Sequence, residues 1–400
     1  MFFVKWNKII ANYCVFLNIL VDLRPLMAGN VSGVETYIKN LLEQLFKIDS
    51  ENHYILWWNS HDEVSQNIPR FKNDNITYIS TKVPNKFLNL SLSFFRFPKI
   101  DKWVGKKLGI KIDRIFVPDP RLTPVSKDCK KIMTIHDLSF EHYKEAFSIT
   151  TRLWHKVLKP KKEAKEAGKI IAVSESTKQD LERTYCLDEE KVKVVYEASS
   201  LQTSVETPKL GVSTEVLRKK YELPEKFILT LSTIEPRKNI EGLLQAFQRL
   251  KAETNLPHKL VIAGRRNDKI FGKVNMLNPN EDDIIFTGFV EEKDKACLYS
   301  LAEAFVYPSF FEGFGLPLVE AMQMGAPVIT SNLSVMPEIV REAGYFVDPY
   351  DIDSVKEGMK VVLEDDNLRE QMRKKGIERS KDFSWEKCAK ETLEILNSKL

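Results

Sequence analysis

Phe311-Glu312-Gly313-Phe314-Gly315-Leu316-Pro317-Leu318-Val319-Glu320-Ala321-Met322 decides how this 400-residue chain is read. The apolar run Ala304–Tyr307 before it reads as a strand and the pattern from Pro317 to Met324 as a helix, so the two glycines occupy a strand-to-helix turn. Glycine there permits a tight turn and close approach of backbone to a ligand. Pro317 suits the first helical turn, where its missing N–H costs nothing, and the free N–H groups of the helix start form an anion site. Glu312 in the turn and Glu320 about one turn into the helix would repel a phosphate. They are better explained as acceptors for hydroxyl groups of a sugar and a ribose, although a capped helix with two exposed glutamates has the same spacing.

Working towards the N-terminus, the next informative stretch is Leu231-Ser232-Thr233-Ile234-Glu235-Pro236-Arg237-Lys238-Asn239, between a strand and a helix. Two cations at a helix N-terminus oppose the helix dipole. A bound diphosphate would remove that conflict, and hydrogen bonds to charged groups contribute about 1.5–3 kcal/mol each. A solvated basic turn is the plainer alternative. Thr134-Ile135-His136-Asp137 puts a histidine at the carboxyl end of a strand, where it would point into a cleft. Gly29-Asn30-Val31-Ser32-Gly33-Val34-Glu35 is a glycine loop ahead of a helix that lacks the full G-x-G-x-x-G spacing.

These elements sit in an alternation of short apolar runs and helical patterns, which predicts βαβ units and parallel sheets. In the first half, strands are expected at Leu17–Val21, His53–Trp57, Ile76–Ile79, Arg114–Val117, Lys131–Ile135, Lys169–Ala172 and Val192–Tyr196, and helices at Val34–Lys47, Thr150–Ala167 and Ser176–Tyr185. Polar Ser199–Pro208 reads as an interdomain linker, with a helix at Thr214–Tyr221 after it. The second half alternates from strand Phe227–Leu231 to strand Tyr345–Val347 and ends in helices broken near Phe383, where Ser384 is a good N-cap. The expected fold class is α/β, with two doubly wound domains at 1–205 and 206–383. Ligands of such sheets bind beyond the carboxyl ends of the strands, so the site should be the cleft between the domains.

Composition is that of a globular protein, 43% hydrophobic and 29% charged, with a formal net charge of only +4. The basic residues cluster in Lys99–Lys131 and Arg152–Lys169. These read either as solvated helix faces or as a surface that meets phosphates on a lipid-linked acceptor or an anionic leaflet. No nucleic-acid recognition motif accompanies them. The five cysteines are dispersed, without a CxxC pair, which points to a reducing compartment and away from structural zinc. Ile9–Val21 is too short and too polar to span a membrane and lacks a signal-peptide cleavage site. No Asp-x-Asp metal motif stands out, and Asp282-Asp283 reads as a polar loop.

Taken in order, the glycine loop, the strand-end histidine, the Arg-Lys pair and the Glu-x7-Glu turn resemble glycosyltransferase family 4, from about Leu17 to the C-terminus. Ile262-Ala263-Gly264, Thr287-Gly288-Phe289-Val290 and Ala326-Pro327-Val328-Ile329 are similar to that family's second domain. The resemblance implies the GT-B fold, two Rossmann-like domains facing across a cleft, with a last helix (about 384–400) returning to the first domain. It implies that Arg237 and Lys238 hold the donor diphosphate, that Glu312 orients the transferred sugar and that Glu320 accepts from the ribose. It further implies that Gly313, Phe314, Gly315 and Leu316 offer backbone N–H groups to sugar and phosphate, that His136 contacts the sugar, that Gly33 lets the first domain approach the diphosphate, and that Phe289 and Val290 meet the base.

The activity implied is retaining, metal-independent hexosyl transfer in the cytoplasm, at the inner face of the membrane. The donor is a nucleotide-diphosphate sugar, with Ile234–Asn239 leaning to GDP-mannose. The acceptor is a glycan or lipid-linked glycan, there is no resident cofactor, and peripheral contact with anionic membrane is expected. A sugar-nucleotide epimerase, a phosphorylase or a silent sugar-binding protein of the same architecture are the alternatives. One departure is Val195-Tyr196-Glu197-Ala198-Ser199, where the family more commonly has an Asn-Gly turn.

Overall fold

The computed structural model describes residues 16–28, 33–60, 67–144, 147–201, 214–265 and 282–399. The extension before Leu17 (apart from Phe16), loop residues 29–32 and the linker from position 202 lie outside the described residues.

The first lobe is a seven-stranded parallel sheet of order β3-β2-β1-β4-β5-β6-β7. Its strands are β1 (Asn18–Asp22), β2 (His53–Asn59), β3 (Ile76–Thr81), β4 (Arg114–Val117), β5 (Lys130–Ile135), β6 (Lys169–Ala172) and β7 (Val192–Val194). The second lobe is a six-stranded parallel sheet of order β10-β9-β8-β11-β12-β13. It consists of β8 (Phe227–Leu231), β9 (Lys259–Ala263), β10 (Ile284–Gly288), β11 (Ala304–Tyr307), β12 (Val328–Ser331) and β13 (Gly344–Val347). The strands are continuous apolar runs because helices cover both faces of each sheet. In β1, Ile19 and Val21 pack into one core and Leu20 into the opposite one.

Each sheet reverses its strand order beside its first strand, at β1/β4 and at β8/β11. Such a reversal opens a crevice at the strands' carboxyl ends. The loops that leave β5, β8 and β11 carry His136, Arg237-Lys238 and the Glu312 turn, so topology alone directs them to one place.

The helices of the first lobe are α1 (Gly33–Ile48), α2 (Asn85–Phe94), α3 (Ile100–Leu108), α4 (Ser139–His142), α5 (Ile149–Leu158), α6 (Pro160–Glu166) and α7 (Glu175–Tyr185). The single helix expected over Thr150–Ala167 is two. Pro160 supplies no N–H and disfavours helical backbone at the residue before it, and Lys159 takes left-handed φ of 50° between α5 and α6. Helix α2 is absent from the sequence reading because apolar and polar residues nearly alternate from Leu88 to Ser93, a strand-like period. The strand expected to run to Tyr196 ends at Val194, where the chain turns into the cleft.

Helix Trp385–Asn397 is capped by the Ser384 side chain, which accepts from the Lys387 N–H at 3.1 Å. It lies on the first lobe: the Tyr37 and Trp385 rings are 6.1 Å apart, Asn52 Nδ2 donates to Asn397 Oδ1 at 3.1 Å, and Arg114 donates to the Ser398 carbonyl at 2.7 Å.

Candidate active site

A cavity of about 390 Å³ lies between the lobes. All twelve residues singled out from the sequence line it: Gly33, His136, Arg237, Lys238, Phe289, Val290, Glu312, Gly313, Phe314, Gly315, Leu316 and Glu320.

Its polar centre is a buried knot around Glu312. Arg237 Nη1 donates to Glu312 Oε2 at 2.6 Å and Lys238 Nζ to Oε1 at 2.5 Å. The Tyr307 hydroxyl donates to the same Oε1 at 2.8 Å and accepts from Lys238 at 2.7 Å. Burial alone would raise the Glu312 carboxyl, but the Arg237 and Lys238 charges outweigh it and hold the group at about 2. Burial and the neighbouring guanidinium lower the Lys238 ammonium, against the pull of Glu312.

This corrects the sequence reading in one respect. The cationic pair does not stand unpaired against a helix dipole: it forms a 3-10 turn, Pro236–Lys238, ahead of helix Ile240–Glu253, and Glu312 neutralises part of its charge. Arg237 Nε also donates to Glu235 Oε2 at 2.9 Å, so the two cations face two carboxylates, and a dianion that takes both cations frees Glu312 to accept from hydroxyl groups.

Glu320 sits in helix Leu316–Gln323, accepting from the Tyr299 hydroxyl at 2.9 Å, with Lys295 Nζ at 3.7 Å. Burial raises its carboxyl, and Lys295 and Tyr299 offset only part of that. Phe289 is half exposed at the rim, its ring 4.9 Å from the Arg265 guanidinium, while Val290 is buried.

The turn between the carboxylates also carries the contact between lobes. A Cβ on Gly313 would lie 1.8 Å from the backbone oxygen of His136, so no other residue fits there without parting the chains. The Gly313 carbonyl accepts from Ser174 Oγ at 2.6 Å and from Thr177 Oγ1 at 3.2 Å. Beside it, Glu338 of the second lobe accepts from the Glu175 and Ser176 N–H groups at the start of α7, at 2.8 and 2.9 Å. Gly315 has φ of 87°, a left-handed value that favours glycine.

The sequence reading missed Glu197 as a site residue, although it had noted the unusual turn that carries it. His136 Nδ1 is 2.8 Å from Glu197 Oε1, and Nε2 is 2.9 Å from the Pro118 carbonyl. A carbonyl and a carboxylate both accept, so the ring must donate from both nitrogens and is an imidazolium. Burial lowers the His136 pKa, yet the hydrogen bond and charge of Glu197 outweigh it and raise the group to about 9. The ring therefore holds no free lone pair with which to act as a base, and both of its N–H groups are already committed to protein.

A group raised in the folded state contributes stability fully below its ordinary pKa of 6.5 and loses it as pH rises through the folded value. Thermal unfolding from pH 6 to 10 should show a decline of Tm between about 6.5 and 9 that Glu197→Gln flattens. Parallel curves for the two proteins would show that the pair does not titrate as described.

The family model described as Glycosyltransferase Family 4 matches residues 31–200, and that described as Glycosyl transferases group 1 matches residues 213–379. O-antigen chain mannosyltransferase B of Escherichia coli is 34% identical over 272 residues, covering 66% of this chain and 69% of its own. The chain belongs to glycosyltransferase family 4. A second relative of this glycosyltransferase is the N-acetylgalactosamine-N,N'-diacetylbacillosaminyl-diphospho-undecaprenol 4-alpha-N-acetylgalactosaminyltransferase of Campylobacter jejuni. It is 26% identical over 381 residues, 91% of this chain and 96% of that one. Sucrose-phosphate synthase of Thermosynechococcus elongatus shares the fold, with a TM-score of 0.70 at 21% identity over 95% of this chain and 98% of that one. The glycosyltransferase therefore has the GT-B architecture expected from its sequence.

Proposed function

We propose that this glycosyltransferase moves a mannosyl unit from GDP-mannose to a lipid-linked glycan, with retention of configuration and without a metal. The observation that carries the reading is the convergence of Arg237, Lys238, Glu312 and Glu320 on one cavity between the lobes. Likeness to an O-antigen chain mannosyltransferase supports mannose, and likeness to an enzyme named for a diphospho-undecaprenol substrate supports a lipid-linked acceptor.

In this reading the donor diphosphate takes the place of Glu312 on Arg237 and Lys238, and Glu312 turns to the hydroxyl groups of the transferred sugar. Glu320 accepts from the ribose, Gly313–Leu316 present backbone N–H groups, Gly33 admits the diphosphate, and Phe289 and Val290 meet the base. The bond between the anomeric carbon and the phosphate oxygen breaks as the acceptor oxygen attacks from the same face. The acceptor proton passes to the leaving phosphate oxygen, so no protein base is needed. The protein positions the reactants and stabilises charge on the departing diphosphate. His136 contributes a fixed positive charge beside the sugar.

The test is incubation of the full chain with GDP-mannose and a polyprenyl-diphosphate-linked glycan, with the product read by proton NMR. An α-linked mannosyl product with release of GDP supports the reading, and a β-linked product or a requirement for added divalent metal would count against it.

Glu320→Ala should weaken binding of the free nucleoside diphosphate by roughly 10–100-fold, the loss of charged hydrogen bonds to the ribose, while leaving the choice of sugar unchanged. Isothermal calorimetry with unaltered affinity would remove Glu320 from the nucleotide site. We propose that the enzyme works at the cytoplasmic face of an anionic membrane. Among the described residues no helix is long and apolar enough to cross one.

A further inference from the structure

A second cavity, of about 690 Å³, opens on the first lobe between α4, α5 and α6. Seven Lys or Arg side chains and two carboxylates line it, around a partly aromatic wall of Phe140 and Phe147. Lys144 and Lys162 have a carboxylate partner within 4 Å. Among the described residues Arg152, Lys156, Lys159 and Lys165 have none. Lys159, with left-handed backbone, stands between α5 and α6, and lysines of both helices line the one hollow. The ring of His155 packs on Phe140 at 4.5 Å, and among the described residues its buried Nδ1 has no partner.

The rim is apolar. Ile149, Leu153 and Val157 follow each other at four-residue spacing along one face of α5 and are exposed, Ile149 by 74% and Leu153 by 56%. Arg152, Lys156 and Lys159 occupy the neighbouring face. Arg96 pairs with Glu163 and Glu166 of α6, and the chain around it exposes Phe94, Phe95 and Phe97. Soluble proteins seldom expose such a run of large apolar side chains without a partner.

The cavity is also next to the reaction. Helix α4 and the following residue separate it from the donor site: Phe140 and Glu141 face the cavity, while the His142 and Tyr143 rings lie 5.7 and 5.6 Å from Phe311, the neighbour of Glu312.

We propose that the α5–α6 cavity binds the diphosphate of a polyprenyl-diphosphate-linked acceptor, with the polyprenyl chain lying along Ile149, Leu153 and Val157. Excess positive charge selects a multiply charged anion, and apolar residues beside it select one that carries a hydrocarbon chain. A flat leaflet of anionic lipid would need the charge and the apolar residues but not a hollow deep enough for a discrete head group. The proposal rests on the lipid-linked acceptor reading and names where that acceptor is held.

The test titrates farnesyl diphosphate into the full chain by calorimetry, with inorganic pyrophosphate, farnesol and phosphatidylglycerol vesicles as parallel arms. One saturable site is expected, with pyrophosphate and farnesol each at least tenfold weaker. Lys156→Gln with Lys159→Gln, both exposed positions that leave the core untouched, should weaken it at least tenfold, and Leu153→Ser several-fold. Arg237→Ala should lose nucleoside diphosphate and keep farnesyl diphosphate, so failure of the donor reading is seen separately. The proposal is overturned by no saturable binding, by undiminished binding in the double lysine variant or in Leu153→Ser, or by pyrophosphate or farnesol binding equally well. Loss of farnesyl diphosphate in Arg237→Ala, or capture by vesicles alone, overturns it too.

Discussion

Lys238→Ala should lower turnover by on the order of 10²–10³, the usual effect of removing one donor aimed at developing negative charge. Lys238 is buried beside Arg237, so in the transition state it acts in a site from which most water is excluded, where one charge is worth more than at the surface. Its removal also leaves Glu312 Oε1 with the Tyr307 hydroxyl alone and lets Arg237 hold the carboxylate more firmly. The donor diphosphate then has both a weaker seat and a competitor that is harder to displace. Single-turnover transfer, with folding checked by thermal unfolding, measures the effect. Wild-type rates of transfer or donor hydrolysis would remove Lys238 from the mechanism.

Gly313→Ala should be nearly as damaging by another route. The added methyl would stand 1.8 Å from the His136 carbonyl oxygen, and neither backbone can give way as a flexible side chain would. The lobes must part, and with them the hydrogen bonds from Ser174 and Thr177 to the Gly313 carbonyl. A misplacement of about 1 Å costs on the order of 10²-fold in rate, so transfer should fall by about that factor. Nucleotide affinity should fall less, because Arg237, Lys238 and Glu320 all belong to the second lobe. Equal transfer by the variant and wild type would mean that this contact is not part of the working arrangement.

The fold was legible because parallel strands covered on both faces are continuous apolar runs: Arg114–Val117, Lys169–Ala172 and Phe227–Leu231 have the bounds expected of them. The gathering of the site was legible because strand-end loops at a change of strand order have one place to go. Two features were not. The break at Lys159 depends on the local conflict between Pro160 and the residue before it, which the helical periodicity on either side conceals. The Glu197–His136 pair joins residues 61 positions apart, and no local pattern marks a glutamate as the partner of a distant ring. The unusual turn at Val195–Ser199 was the available signal: it replaces a turn-former with a carboxylate where the chain enters the cleft.

Arg237-Lys238 and Glu312 read as separate patterns in sequence, and the structure ties them into one charged unit, with Glu320 lining the same cavity. Calorimetric titration of GDP and UDP into the wild type and into Arg237→Ala with Lys238→Ala tests that unit most directly. The expected result is one molecule of nucleoside diphosphate per chain, with affinity lower by roughly 10²-fold or more in the double variant. Binding of neither nucleotide, or equal affinity in the two proteins, would contradict it.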